Sequence, residues 1–364
     1  MRSTAFLGLI VIATCAVGTP ACFPDYSIAS GGSGGGAGDA GSGGAAGTST
    51  GGTGGTGATG GNGGTGGTGG TGGAAGDAGS GGNSDEVVTI EVPSSVFAIR
   101  ARDVSSSGPV LDGTVRLTHA FEVDVFEVTV ARFREWNRQP PCTEEDCTLD
   151  LGGPYESSLY WDPAWNVYLQ PHGLSIAECY SPYQPGERTT WEVANQDDRP
   201  DLPMTCVNWY EAVAFCASEG KRLLTHAEWI HVATSGNPLQ PYPWGDEPAE
   251  DCDDAVWHFD DGFCSFPTEV GSADGDQTDD GVYDMAGSVF EWVWDAPWTA
   301  APAADVDFVG PEALPGGPRS RKGGAYIVPL DQSDLRLRNE TFESYLPDEL
   351  FSDAGFRCAR TVLP

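Results

Sequence analysis

Pro203-Met-Thr-Cys-Val-Asn-Trp-Tyr-Glu-Ala-Val-Ala-Phe-Cys216 runs on into Gly220-Lys-Arg-Leu-Leu-Thr-His-Ala-Glu-Trp229. Asn208 stands three residues before Glu211. That is the spacing of a capping box, in which each side chain bonds the other residue's backbone N–H. It predicts a helix over Trp209–Ser218, with Gly220 as its stop. Thr225 and Glu228 repeat the device and open a second helix that runs to about Thr234, ahead of Gly236.

Upstream, Thr129 is placed to cap a third short helix over Val130–Trp136. Val87–Val92 alternates weakly and predicts a strand. Val115–Val123 alternates better, with the odd positions on one face, and predicts another. Elsewhere turn residues, aromatics and Asp-rich loops dominate. Long periodic helices and strand–helix–strand repeats are missing, which excludes a doubly wound sheet or a helical bundle. The fold class expected is loop-rich α+β with little regular secondary structure, braced by disulfides and by calcium.

The 364-residue chain carries 53 acidic against 18 basic residues, a formal net charge of −35. A nucleic-acid backbone would repel such a surface, so no nucleic-acid partner is expected. Between Gly31 and Gly82, 29 of 52 residues are glycine. Such a segment cannot bury enough apolar surface to offset its chain entropy. Residues 22–84 are therefore expected to form a disordered Gly/Ser/Thr-rich tether. All eleven tryptophans fall at or after Trp136, which puts the core in a single domain over residues 85–364.

Arg2 precedes a short apolar run, Ala5–Ala13, and small Ala21 stands just before Cys22. Residues 1–21 resemble a bacterial lipoprotein signal peptide, with Cys22 as the lipidated residue. The resemblance implies an exported, membrane-anchored lipoprotein, periplasmic or on the cell surface, whose membrane partner is reached through the lipid anchor. Export makes the eight cysteines that remain after Cys15 and Cys22 disulfide candidates. Cys142 and Cys147 bracket Thr-Glu-Glu-Asp, and Cys252 and Cys264 bracket an acidic loop. Both are natural short-range pairs. Cys179, Cys206, Cys216 and Cys358 are left open at this point. No CxxC spacing suggests zinc. His226 and His231 lie five apart on a helix, off a shared face, so no joint metal is expected there. His119, His172 and His258 are isolated. No GxSxG elbow points to a serine hydrolase. Trp292 and Trp294 are expected in the core.

Five blocks carry a family resemblance. They are Phe126-Glu-Val-Thr-Val-Ala-Arg-Phe133, the Pro203–Trp229 stretch, Tyr242-Pro-Trp-Gly245, Val282-Tyr-Asp-Met-Ala-Gly-Ser-Val-Phe-Glu-Trp-Val-Trp294, and Arg321-Lys-Gly-Gly-Ala-Tyr326 with Ala354-Gly-Phe-Arg-Cys-Ala-Arg360. In order, spacing and identity these resemble the formylglycine-generating enzyme (sulfatase-modifying factor) family over about residues 87–362. The resemblance implies a fold distantly like a C-type lectin. Active members oxidise a sulfatase cysteine to formylglycine with molecular oxygen and copper(I), held by two thiolates a few residues apart. Val328 and Ser333 stand at those two positions here, and no cysteine lies between Cys264 and Cys358. Valine cannot bind copper(I) and a serine hydroxyl is a poor substitute for a soft thiolate, so copper is not expected.

The resemblance also implies a disulfide between Cys216 and Cys358, which leaves Cys179 for Cys206. It implies two calcium sites. Asp254, Ala255, Asp261 and Phe263 match one. Asp284, the carbonyls of Gly287 and Val289, and Glu291 match the other, with Ser288 and Phe290 in place of the family's asparagine and tryptophan. The expected function is a non-catalytic binding or scaffold module with a peptide or glycan ligand. The alternative is a formylglycine-generating oxidase, or another metal-dependent oxidoreductase on the same scaffold.

Overall fold

The capping boxes form as the sequence predicts. Asn208 Oδ1 accepts from Glu211 N at 2.9 Å and Glu211 Oε2 accepts from Asn208 N at 3.0 Å. Thr225 and Glu228 exchange the same pair of bonds. The computed structural model describes residues 88–104, 109–137, 148–149, 159–160, 163–169, 179, 189–237, 239–257, 264, 266–300, 302–310, 316–327 and 338–362. The proposed signal peptide and tether, Cys22, Cys142, Cys147, Asp261, Phe263, Val328 and Ser333 lie outside them. The described helices are α1 (Val130–Asn137), α2 (Thr190–Gln196), α3 (Trp209–Ser218) and α4 (His226–Ala233), with a 3-10 turn at Pro163–Tyr168. No described helix is long and apolar enough to cross a membrane.

Two sheets frame the described core. The smaller one orders β1 (Thr89–Val92), β4 (Ala120–Asp124), β13 (Cys358–Val362) and β7 (Arg222–Leu223), all antiparallel. The larger, mixed sheet orders β12 (Ala354–Gly355), β8 (Phe290–Trp292), β10 (Arg319–Lys322), β11 (Thr341–Tyr345), β2 (Ser95–Asp103), β3 (Leu111–Leu117) and β9 (Ala303–Val306). A separate hairpin pairs β5 (Thr148–Leu149) with β6 (Leu159–Tyr160).

The stretch Val115–Val123 is two strands, not one, and they belong to different sheets. The break is made by Asp307. Its carboxylate accepts from Thr118 N at 2.7 Å and from Thr118 Oγ1 at 2.6 Å, and bonds His119 Nδ1 at 3.1 Å. Those bonds take the place of ladder bonds at the crossing. His119 is far from isolated, because its Nε2 meets Glu228 Oε1 at 3.1 Å, and Arg222 grips the same Glu228 through two bonds. The alternation survives the break because Val115, Leu117, His119, Phe121 and Val123 are all buried.

One hydrophobic cluster packs α1 and α3 against the loop-borne aromatics. Phe133 stacks on Phe215, and both meet Phe356 edge-on. A second packs α4 under β2, β3 and β4. Trp292 and Trp294 are core residues, and the Trp292 indole N–H donates to the Val207 carbonyl. Disulfides join Cys179 to Cys206, Cys216 to Cys358 and Cys252 to Cys264. The second of these ties the end of α3 to the first residue of β13.

Candidate functional site

The segment entering β8 is folded around backbone that few side chains tolerate. Asp284, Gly287 and Ser288 all have positive φ, at 57°, 89° and 48°. Gly287 is required: a Cβ there would lie 2.6 Å from the Val256 carbonyl oxygen. Backbone bonds clamp the loop on both sides, with Gly287 N donating to Gly323 O at 2.8 Å and Ser288 N to Val256 O at 2.7 Å. Tyr326 N returns a bond to Ser288 O at 3.0 Å. The Gly-Gly-Ala-Tyr block and the Asp284 loop are thus one packed unit.

Four carboxylates are buried in or against this loop: Glu127, Asp276, Asp284 and Glu291. Glu127 comes from the turn ahead of α1. It accepts from Ser288 Oγ at 3.0 Å and from Val289 N at 3.3 Å. Asp284 Oδ2 accepts from Gly271 N at 2.5 Å. Glu291 accepts from the Trp229 indole at 2.7 Å through Oε2, and from Arg357 Nε and Nη2 at 2.8 and 2.6 Å through Oε1. Arg357 spends its remaining N–H groups on the carbonyls of Asp124, Val125, Tyr283 and Asp284. One guanidinium therefore faces four carboxylates.

That imbalance shows in the acidities of Glu127, Asp276 and Asp284. Burial, then the Asp284 and Glu291 charges, pushes the Glu127 carboxyl well above the usual range. Burial and Asp284 do the same to Asp276. Burial pushes Asp284 up to about 6, against the pull of the Gly271 N–H and of Arg357. A divalent cation would relieve this charge. The donors are all oxygen, which suits a hard cation. One oxygen, Asp276 Oδ1, is buried with no hydrogen-bond partner among the described residues. The residues around Asp284 accordingly fit calcium.

The residues matched to the other calcium site are only partly described. Asp254 is half-buried and its Oδ2 accepts from Glu250 N at 2.7 Å, while Ala255 is fully buried. The two copper positions fall outside the described residues, just beyond Tyr326 and Ile327, which are both buried. Copper(I) does not fit the described cysteines, since all six are joined in three disulfides. Asp124, Glu219 and Cys358 also bring ligating atoms within 4.8 Å of one another. That group is already neutralised, because Arg132 and Lys221 bond Asp124 at 2.8 and 2.5 Å, and Cys358 is disulfide-bonded. His226 and His231 have different neighbours: His226 stacks on Trp298, and His231 Nε2 meets Ser95 Oγ at 3.1 Å.

Glu127 and Arg357 sit inside the sequence blocks quoted above, yet sequence reasoning assigned them no role. Their signal was available in the Glu of the Phe126 block and the Arg of Gly-Phe-Arg-Cys. Asp276 was not singled out at all.

Comparison with known proteins gives this geometry a context. Residues 82–362 match the model of the sulfatase-modifying factor enzyme 1-like domain. The formylglycine-generating enzyme of Thermomonospora curvata is 33% identical over 212 residues, which are 53% of this chain and 65% of that protein's length. The Bos taurus protein named inactive C-alpha-formylglycine-generating enzyme 2 is 28% identical over 301 residues, covering 76% of this chain and 89% of the relative. Among solved structures, PvdO from Pseudomonas aeruginosa shares the fold at a TM-score of 0.50 and 20% identity, over 75% of this chain and 94% of that one.

Proposed function

The chain belongs to the sulfatase-modifying factor enzyme 1-like domain family, and from that membership we propose a non-catalytic role: an exported module, lipid-anchored through Cys22, that binds or scaffolds a peptide or glycan. The observation that carries this reading is the missing thiolate pair. Val328 and Ser333 hold the two positions, and no cysteine intervenes between Cys264 and Cys358. Among the described residues no other cysteine can step in, because Cys179, Cys206, Cys216, Cys252, Cys264 and Cys358 are committed to disulfides. A disulfide sulfur is not a thiolate and does not hold copper(I). The relative named as inactive supports the view that this scaffold persists without the oxidase chemistry.

The test is to incubate the full chain with copper(I), a reductant, oxygen and a cysteine peptide of sulfatase type, and to look for the aldehyde by mass spectrometry. The expected result is no conversion. Catalytic turnover overturns the reading and favours the oxidase. A Val328→Cys, Ser333→Cys double variant is expected to gain copper(I) binding. For the anchor, Cys22→Ala should move the protein from the membrane to the soluble fraction.

We also infer calcium at the Asp284 loop. Asp284, Glu291 and the carbonyls of Gly287 and Val289 would hold it, with Arg357 fixing Glu291 and Glu127 fixing the Ser288–Val289 backbone. Bound there, the ion supplies positive charge that offsets the buried carboxylates. Asp254, Ala255, Asp261 and Phe263 are the proposed second site. A ligand at a hundredfold excess over its dissociation constant stabilises the native state by about 2.7 kcal/mol. A chelator should therefore lower the melting temperature of the chain, and added calcium should restore it. An unchanged melting curve on a sample shown to be free of trapped calcium refutes the assignment.

A further inference from the structure

We propose that the guanidinium of Arg134 anchors a side-chain carboxylate of a peptide ligand, an inference that rests on the binding reading above. Arg134 stands on the last turn of α1, with its Cζ 5.4 Å from the centroid of the Trp191 ring on α2. The side chain is half-buried. Its Nε and Nη2 are closed off from solvent and have no hydrogen-bond partner among the described residues. Those two atoms form one edge of the guanidinium plane. Their N–H bonds run parallel, at the spacing of the two oxygens of a carboxylate. The donors without a partner are therefore the two halves of a single fork.

Other arginines of the same protein show what this fork does. Arg132, two positions earlier on α1, places Nε and Nη2 on the two oxygens of Glu219, the first at 2.9 Å. Arg321 puts both atoms on Glu343 Oε2 at 3.2 and 2.7 Å, and Arg357 puts both on Glu291 Oε1 at 2.8 and 2.6 Å. Arg134 has the same fork and no carboxylate on it, in a chain with 53 acidic residues against 18 basic ones. Glu192, the acid next to Trp191, is held by its own capping box, where it accepts from Thr189 N at 2.9 Å. Unmet donors on a buried cation are disfavoured in the free protein, and one ligand carboxylate meets both at once. Two features select a peptide as its carrier. The donors are nearly inaccessible, so the carboxylate must enter on a slender stem, as an aspartate or glutamate side chain provides. A uronate carboxylate sits directly on a sugar ring, whose hydroxyls would lose their water beside an indole. The net charge of −35 also repels a polyanion far more than a ligand with a single carboxylate.

The experiment uses the full chain and a synthetic library of short peptides, acetylated and amidated at their ends so that side chains supply the only carboxylates. Wild type, Arg134→Lys and Arg134→Met are compared by affinity capture, then by calorimetry with the enriched peptides. The expected result is that wild type selects an acidic residue at one peptide position. Replacing that residue by its amide, or Arg134 by Lys, which keeps the charge and loses the fork, should weaken binding at least about tenfold. Arg134→Met should lose the acidic preference with a melting temperature no lower than wild type, because it removes a cation whose fork is unpaired in the free protein. Binding by Arg134→Lys within about twofold of wild type, or a marked drop in the melting temperature of Arg134→Met, overturns the inference. So does a library that enriches peptides without an acidic residue, in which case the peptide-binding reading stands without Arg134. A polyglucuronate oligosaccharide that binds through Arg134 while the peptides do not assigns the fork to a glycan and overturns the peptide proposal. If neither probe binds wild type, the binding reading fails and this inference with it.

Discussion

Opening the Cys216–Cys358 bridge should cost more stability than opening any other described disulfide. The bond links residues 142 apart in sequence, against 27 for Cys179–Cys206 and 12 for Cys252–Cys264. In the chain-entropy account, a cross-link stabilises by restricting the unfolded ensemble, and the effect grows with the logarithm of loop length. That gives about 5 kcal/mol for the longest loop and about 3 kcal/mol for the shortest. Both sulfurs of the long bridge lie in the core, with Cys216 and Cys358 each 0% exposed. Truncation to alanine also removes some packing there, of order 1 kcal/mol. The comparison is between Cys216→Ala, Cys358→Ala and Cys252→Ala, Cys264→Ala double variants, by urea denaturation at fixed calcium. The first should lose at least about 2 kcal/mol more than the second, and its denaturant slope should steepen as the unfolded chain expands. Equal losses, or an unchanged slope with a small loss, would refute the reasoning.

Three further outcomes follow from the buried groups. Burial pushes the Glu211 carboxyl up from 4.5 to about 8, so the folded state holds its proton more tightly than the unfolded state does. Stability is then highest below the ordinary value and falls as pH rises to about 8, by about 1 kcal/mol per pH unit, and Glu211→Gln should remove that slope in pH-dependent denaturation; parallel wild-type and variant curves count against it. Arg357→Met strands the Glu291 carboxylate and should destabilise the fold by about 4 kcal/mol in chemical denaturation, a loss under about 1 kcal/mol being the contrary result. Gly287→Ala forces a side chain onto a φ of 89° and into the Val256 carbonyl, and should lower unfolding free energy by about 3 kcal/mol; a neutral change would show that the loop can shift.

The helices show where sequence was enough. Local signals set the ends of α3 and α4, because a capping box satisfies backbone donors with residues three apart. The same device, Thr189 with Glu192, opens α2, and that helix could have been found by the same rule. So could β2, where Phe97, Ile99 and Ala101 alternate with exposed Val96, Ala98 and Arg100. The split between β3 and β4 was not legible. The apolar alternation runs through it unbroken, and the residue that makes it, Asp307, lies 189 positions beyond Thr118. The site divides similarly. Asp284 and Glu291 stood out through a resemblance of motifs. Asp276 sits in a run with Asp274, Asp279 and Asp280, all exposed, and composition cannot tell the one buried acid from its solvated neighbours.

The placement of β13 has a consequence for how this domain comes into being. It is the last strand described, yet it lies between β4 and β7 and completes both ladders. Before Cys358–Val362 emerges during synthesis, β1 and β4 can pair only with each other, β7 has no ladder, and the inner edge of β4 is bare. Arg357 and one end of the longest disulfide arrive at the same moment. The small sheet is therefore closed late and by non-local pairing, and until then the bare edge of β4 is open to intermolecular strand pairing. The heavy negative charge bears on this stage, since chains of like charge repel one another.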